Sequence, residues 1–294
     1  MTRLRDRRPT TILDGGWATE LQRRGLALGE PADAWNLSRP DDVLAVARSY
    51  VEAGAGIILT NTFQASPIAL ARFGLADRAQ GINQEGARLS RLAVSSRGVR
   101  VFGSVGPTGL GRELAAGSTE AASRASEAFS TQARALAEGG VDAIALETFC
   151  HVGEARLAAR AALAAGLPVV ASFYFDTATG RPLTPDGSTP EDVARAMAEE
   201  GVDAVGANCG AGPAEFVEIC RRLRAADGRG VWIKPNAGLP TIAGGRAVYP
   251  TTPAGFAAFL PAFIEAGAAF VGGCCGASPE FVRALKRAAD QEVP

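Results

Sequence analysis

Histidine is almost missing from this sequence: 294 residues contain one, His151. A His-rich metal site is thereby excluded, and a Ser/His/Asp triad would have to rely on His151 alone as its base. Cysteine pairs of the CxxC kind are absent, and five cysteines is an odd number, which argues against a secreted disulfide framework. Metal or thiolate chemistry stays open. No apolar run is long enough for a secretory signal or a membrane span, and the start of the chain, Met1 to Thr10, is arginine-rich. The expectation is a cytoplasmic protein with no membrane partner. Thirty basic residues against 31 acidic ones leave a net charge of −1, so no surplus favours nucleic acid or anionic lipid.

What is present suits a buried α/β protein: 47% of residues are hydrophobic, 21% are charged, and aromatics are few. Short apolar runs alternate with helix-period segments throughout, the pattern of βα units on a parallel sheet. Eight strands are predicted, at Thr11–Leu13, Gly56–Thr60, Arg100–Ser104, Asp142–Glu147, Pro168–Phe173, Asp203–Asn208, Val231–Lys234 and Ala269–Gly273. One intervening helix is bounded by Pro40 and Asp41 at its start and Gly54 at its end, with Val43, Val46, Ala47, Tyr50 and Val51 as its apolar stripe. Eight units in a chain of this length predict a single (β/α)8 TIM barrel occupying residues 1–294, with a doubly wound open sheet as the alternative.

An internal repeat sharpens the barrel reading. AGAGIILTNTF, GGVDAIALETF, EGVDAVGANCG and AGAAFVGGCCG coincide with strands two, four, six and eight. Alternate strands of such a barrel share an interior layer, so Asn61, Glu147, Asn208 and Cys274 form one equivalent set, and Thr62, Thr148, Cys209 and Cys275 the next. All lie at carboxyl-terminal strand ends, the face where barrel active sites form.

Three cysteines, Cys209, Cys274 and Cys275, therefore converge from two strands. Zinc favours thiolates, and a catalytic zinc usually has three protein ligands and one open position. Side chains of adjacent strand residues point to opposite faces, so the chain must turn at or after the vicinal pair; Gly272, Gly273 and Gly276 supply that freedom. A Cys274–Cys275 disulfide is the alternative, and Cys150 and Cys220 read as packing residues. Zinc with three thiolates carries net charge −1, a poor activator of water but a place where a fourth, substrate thiol binds deprotonated. That thiolate is the nucleophile, so no side-chain base is needed.

Asp14 and Glu147 end the first and fourth strands on the same mouth and are placed to take an α-ammonium group. The amides of Gly15 and Gly16, ahead of a short helix, are placed to receive a carboxylate, and Thr60, Thr62 and Asn208 to add hydrogen bonds. An amino-acid thiol is the substrate class suggested.

DGGWATEL, LTNTFQAS, GSVGPTG, LETF, GANCG, KPNAG and GGCCG, in that order over essentially the whole chain, resemble the homocysteine S-methyltransferases. That family includes betaine- and S-methylmethionine-dependent enzymes and the homocysteine module of cobalamin-dependent methionine synthase. The resemblance implies a Zn2+ barrel in which Cys209, Cys274 and Cys275 bind the metal, Asp14 and Glu147 bind homocysteine, and methionine is the product. The stretch NLSRPDDVLAVARSYVEAGAGIILTNTF is most similar to the methionine synthase module. No corrinoid segment is read in the 294 residues, so the expected methyl donor is S-methylmethionine or another sulfonium, with a methylcorrinoid protein as the alternative. Betaine is less favoured because Gln64 stands where an aromatic is expected, although Trp17, Trp35 or Tyr249 could cage a methylated cation. Rival readings make Lys234 a Schiff-base nucleophile, the acceptor another thiol or a selenol, or the chain a non-catalytic zinc or thiol-redox module.

Overall fold

A strand buried on both faces has no polar side to show, which is why the strands of this chain read as continuous apolar runs. In the structure, a computed structural model that describes residues 10–94, 98–243 and 246–291, ten strands form. They are β1 (Thr11–Ile12), β2 (Ile57–Leu59), β3 (Arg100–Val105), β4 (Ala143–Phe149), β5 (Val169–Phe173), β6 (Ala204–Cys209), β7 (Val231–Pro235), β8 (Thr241–Ala243), β9 (Arg246–Val248) and β10 (Ala268–Val271). Eight of them pair in the order β1-β10-β7-β6-β5-β4-β3-β2, and every pairing is parallel. The two ends of that row meet through a parallel bridge between Leu13 and Ile57, with Gly56 N–H donating to the Ile12 carbonyl at 2.8 Å. The sheet closes into a barrel. The open-sheet alternative is thereby set aside, and all eight predicted strands are found.

The remaining two strands were not foreseen. β8 and β9 pair antiparallel as a hairpin in the segment that follows β7, and Leu239, Ile242 and Val248 there are exposed. Such short strands, three residues each, lack the alternation that would mark them in sequence.

Helices connect the strands and pack an apolar stripe against the outside of the barrel. The helix Pro40–Glu52 is typical: Pro40 fits its first turn, and the five residues expected to form its stripe are the ones buried. Each large apolar side chain buried this way contributes about 1.5–3 kcal/mol. Inside the barrel, large side chains of some strands meet small ones of others. Phe102 on β3 stacks on Trp232 of β7 at 5.8 Å, Phe270 leans on the same indole at 5.6 Å, and Ala143, Ala145 and Ala204 make room for them. The interior is thus filled below the mouth.

Among the described residues no helix is long and apolar enough to cross a membrane.

Candidate metal centre and substrate pocket

β6 ends at Cys209 and β10 is followed by Cys274 and Cys275, and the three Sγ atoms lie within 4.8 Å of one another. Three thiolates on one zinc ion, each about 2.3 Å from it, stand about 3.8 Å apart, so the group fits a metal of that size and softness. All five cysteines are free. The turn that brings the vicinal pair to one side comes after it, at Gly276, whose φ is +81°. Gly272 and Gly273 serve close approach instead: a Cβ on either would press within 2.6 Å of Asp14 or Ala277 atoms. Asn236, in the KPNAG segment, fixes the cluster from the β7 side, donating to the Gly210 carbonyl at 2.6 Å and accepting from Cys275 N–H at 3.1 Å.

Without metal, the three thiols share charge. Hydrogen bonds from Cys274 and Cys275 hold the Cys209 thiol down to about 3, and the same bonds to Cys209 push Cys274 up to about 11 and Cys275 higher still. The three share their protons unequally, and a metal bound there would displace them.

Among the described residues, two other than glycine have positive φ, Thr148 at +59° and Cys209 at +67°. They occupy equivalent places in the repeat, each just after the residue that enters the pocket. For a β-branched threonine this backbone is strained, and strain of this kind is held only where the surroundings over-determine it. Here Asn208 does so: its Oδ1 accepts from Thr148 N–H at 2.8 Å and from Ser172 Oγ at 2.7 Å, while its Nδ2 donates to Thr148 Oγ1 at 2.7 Å and reaches Cys274 Sγ at 3.9 Å.

A cavity of about 420 Å3 opens above the filled interior, lined by the three cysteines and by Gly15, Gly16, Thr60, Thr62, Glu147, Asn208 and Lys234 among others. Glu147 is buried, and burial pushes its carboxyl up to about 7 against the pull of Lys234. Its Oε1 accepts from Ser104 Oγ at 2.5 Å. Ser104 is in turn clasped by the two threonines, with Thr60 Oγ1 accepting from its N–H and Thr62 Oγ1 donating to its carbonyl.

The profile of the homocysteine S-methyltransferase family matches residues 11–289. The chain belongs to that family. It is 35% identical to methionine synthase of Mycobacterium tuberculosis over 294 aligned residues, which are 94% of this chain and 24% of that protein. The chain thus spans about a quarter of the length of the curated relatives it matches. Its fold follows that of the homocysteine methyltransferase MmuM from Escherichia coli. Against the metallated form the TM-score is 0.76 at 27% identity, covering 96% of this chain and 97% of that one. Against the oxidized form it is 0.74 at 25% identity, covering 95% of each.

The pocket of this family member departs from the sequence expectation in three places. Asp14 is fully buried and already accepts three hydrogen bonds: Oδ2 from Trp17 Nε1 and Leu59 N–H, both at 2.7 Å, and Oδ1 from Lys234 Nζ at 2.6 Å. It lies behind the cavity lining, where it meets Lys234. Gly16 does not offer its amide, which donates to the Ala277 carbonyl at 2.9 Å, and the helix behind it, Trp17–Arg23, is only seven residues long. Both glycines instead admit the Cys274–Ala277 turn, since a Cβ on Gly15 would lie 2.1 Å from Ala277 O and one on Gly16 2.6 Å from Cys274 O. The aromatic cage does not assemble either. Trp35 lies under the Arg39 guanidinium at 4.1 Å, and the Tyr249 ring covers Gly276, while Trp17, Phe63 and Phe73 are the rings that line the cavity.

Sequence reasoning passed over Ser104, Ser172 and Asn236, which orient Glu147, Asn208 and Cys275. Asn236 had a signal in KPNAG and Ser104 in GSVGPTG; Ser172 sits inside an apolar strand with nothing to single it out. The Schiff-base reading of Lys234 fails on charge. Burial works against its ammonium, but Asp14, Glu147 and Cys274 outweigh burial and hold it protonated, the opposite of what a nucleophilic amine requires.

Proposed function

We propose that this chain methylates the thiol of homocysteine to give methionine, with zinc held by Cys209, Cys274 and Cys275 and the acceptor's ammonium group received by Glu147. The observation that carries this reading is the convergence of three sulfurs within 4.8 Å at the wall of a cavity that Glu147 also lines. Zinc, when bound there, lowers the pKa of an added thiol so that it is a thiolate at neutral pH. The protein does the rest by positioning. Glu147 is braced by Ser104, Asn208 steadies Cys274, and Asn236 steadies the Cys275 backbone, so the acceptor is gripped at its amino end while its sulfur is directed toward the cysteines. Family membership supports the same acceptor.

The donor is a small onium compound in this proposal, S-methylmethionine or another sulfonium. The cavity is larger than one amino acid needs, and its outer wall sets the rings of Trp17, Phe63 and Phe73 beside the carboxylates of Glu30 and Asp33. Aromatic faces and carboxylates together suit a cation that is poorly hydrated. Such a donor carries its own leaving group, so in-line transfer needs alignment and a dry pocket. Product analysis tests the reading. Zinc-loaded protein incubated with homocysteine should form methionine with S-methylmethionine; formation only when a methylated corrinoid protein is supplied would overturn the donor, and none with any donor would overturn the reaction.

A further inference from the structure

The outer wall of the cavity holds a buried carboxylate that acceptor binding does not use. Asp33, in the short turn Ala32–Ala34, is 4% exposed and lines the cavity together with Trp17, Phe63 and Phe73. Its Oδ1 accepts from Gln64 N–H at 2.9 Å. Among the described residues no side chain donates to it and no basic group pairs with it. Arg72, a basic residue of the same wall, is turned elsewhere: it donates to Gln64 Oε1 at 2.9 Å and to the Ala69 carbonyl at 3.2 Å. Glu30, a second carboxylate of that wall, is exposed and is served by water.

An ionised carboxylate out of water ordinarily has a cation or several donors around it, because its desolvation is otherwise uncompensated. Asp33 has backbone hydrogen bonds alone, and burial outweighs them and pushes its carboxyl up to about 6. Acceptor capacity is left over on a side chain that faces the cavity. The group that completes it is a cation with N–H bonds to give. A sulfonium centre is a cation without such bonds, and aromatic faces are the surroundings that suit it. An ammonium group supplies both charge and donors. A donor that is itself an amino acid carries the two cations on one short chain, and the wall offers a place for each: rings for the onium, Asp33 for the ammonium.

We propose that Asp33 is a specificity-determining residue that receives the α-ammonium group of an amino-acid sulfonium donor, so that the outer wall selects such a donor over a sulfonium that lacks the ammonium group. This rests on the donor reading given above. Gln64 is then a positioning residue, since its main-chain N–H holds the Asp33 carboxylate while its side chain ties the wall to the Pro107 carbonyl at 3.1 Å.

Steady-state kinetics of the zinc-loaded protein at saturating homocysteine test this, with S-methylmethionine and with 4-(dimethylsulfonio)butanoate, which is S-methylmethionine without its ammonium group. Wild-type kcat/KM should favour S-methylmethionine roughly tenfold to a hundredfold, the range for one hydrogen bond between charged groups, with the difference mainly in KM. The informative variant is Asp33→Asn, whose Oδ1 can still accept from Gln64 N–H, its fold checked by circular dichroism and zinc content. In it the ratio of the two donors should fall toward one, with most of the loss on the S-methylmethionine side. A ratio unchanged from wild type overturns the role of Asp33 and leaves the donor reading standing; this includes an equal loss with both donors, the mark of a wall that has merely shifted. A wild type that forms no methionine from either sulfonium overturns the donor reading and this inference with it.

Discussion

On β7, Trp232 and Lys234 stand two residues apart on the same face of one strand, and they belong to different worlds. Trp232 lies between Phe102 and Phe270 in a layer with no charge, where the alanines of even-numbered strands leave room for its rings. One pleat higher, Lys234 enters a buried knot with Asp14 and Glu147. The floor is held by dispersion and apolar burial, which tolerate no gap. The mouth is held by charges that cancel and by hydrogen bonds that converge on Ser104, Asn208 and Asn236. Buried ion pairs of this kind add little net stability, because desolvation offsets their attraction. The comparison teaches a division along a single strand, in which the lower side chain fills the barrel interior and the upper one lines the pocket.

Substitutions at the two levels should therefore separate cleanly. The largest effect is expected at the cysteines: Cys209→Ala combined with Cys274→Ala should take zinc from about one per chain to essentially none by elemental analysis, and full retention would remove the cluster from metal binding. On the floor, Trp232→Ala should cost about 3–5 kcal/mol of unfolding free energy, measured by urea titration of the metal-free protein. A loss well below that range would mean that the interior collapses around the gap and that the floor is not the rigid half of the barrel.

At the mouth, Glu147→Gln should weaken homocysteine binding by about 1.5–3 kcal/mol while zinc content is kept, as read by calorimetry and metal analysis. The same variant has a signature in pH. Burial raises the folded carboxyl from 4.5 to about 7, so folding takes up a proton between those values. The associated stability is fully present below pH 4.5 and is lost as pH rises through 7. In the metal-free state, Glu147→Gln should match the wild type at acid pH and gain on it above pH 7; parallel curves across that range would contradict the burial of this charge. The smallest effect is expected at Cys150, which follows β4 at the mouth and lies outside the three-sulfur cluster. Cys150→Ser should leave zinc content unchanged and shift stability by no more than about 0.5 kcal/mol.

The floor was legible in the sequence and the mouth only half so. Parallel strands must be apolar on both faces, so IIL, VVASF and VWIKP announce themselves without any partner in view. The internal repeat then placed Cys209 and Cys274 at equivalent strand ends, and it also aligned Thr148 with Cys209, the two residues that share positive φ. Long-range pairing has no such signature. Lys234 is 220 residues from Asp14, and nothing near either residue says that one neutralises the other. Asp14 and Glu147 read as equals for that reason, whereas one lies behind the cavity lining and the other in it. The smallness of Gly15 and Gly16 also admits the Cys274–Ala277 turn, a segment at the far end of the chain that DGG does not announce.

Zinc K-edge absorption of the metal-loaded protein, recorded before and after addition of homocysteine, tests the central claim most directly. Three protein sulfurs should be counted around each zinc in the free protein and four sulfurs once homocysteine is present. A zinc environment that is indifferent to homocysteine, or one with fewer than three sulfurs at the start, would contradict the assignment of Cys209, Cys274 and Cys275 as the seat of the acceptor thiolate.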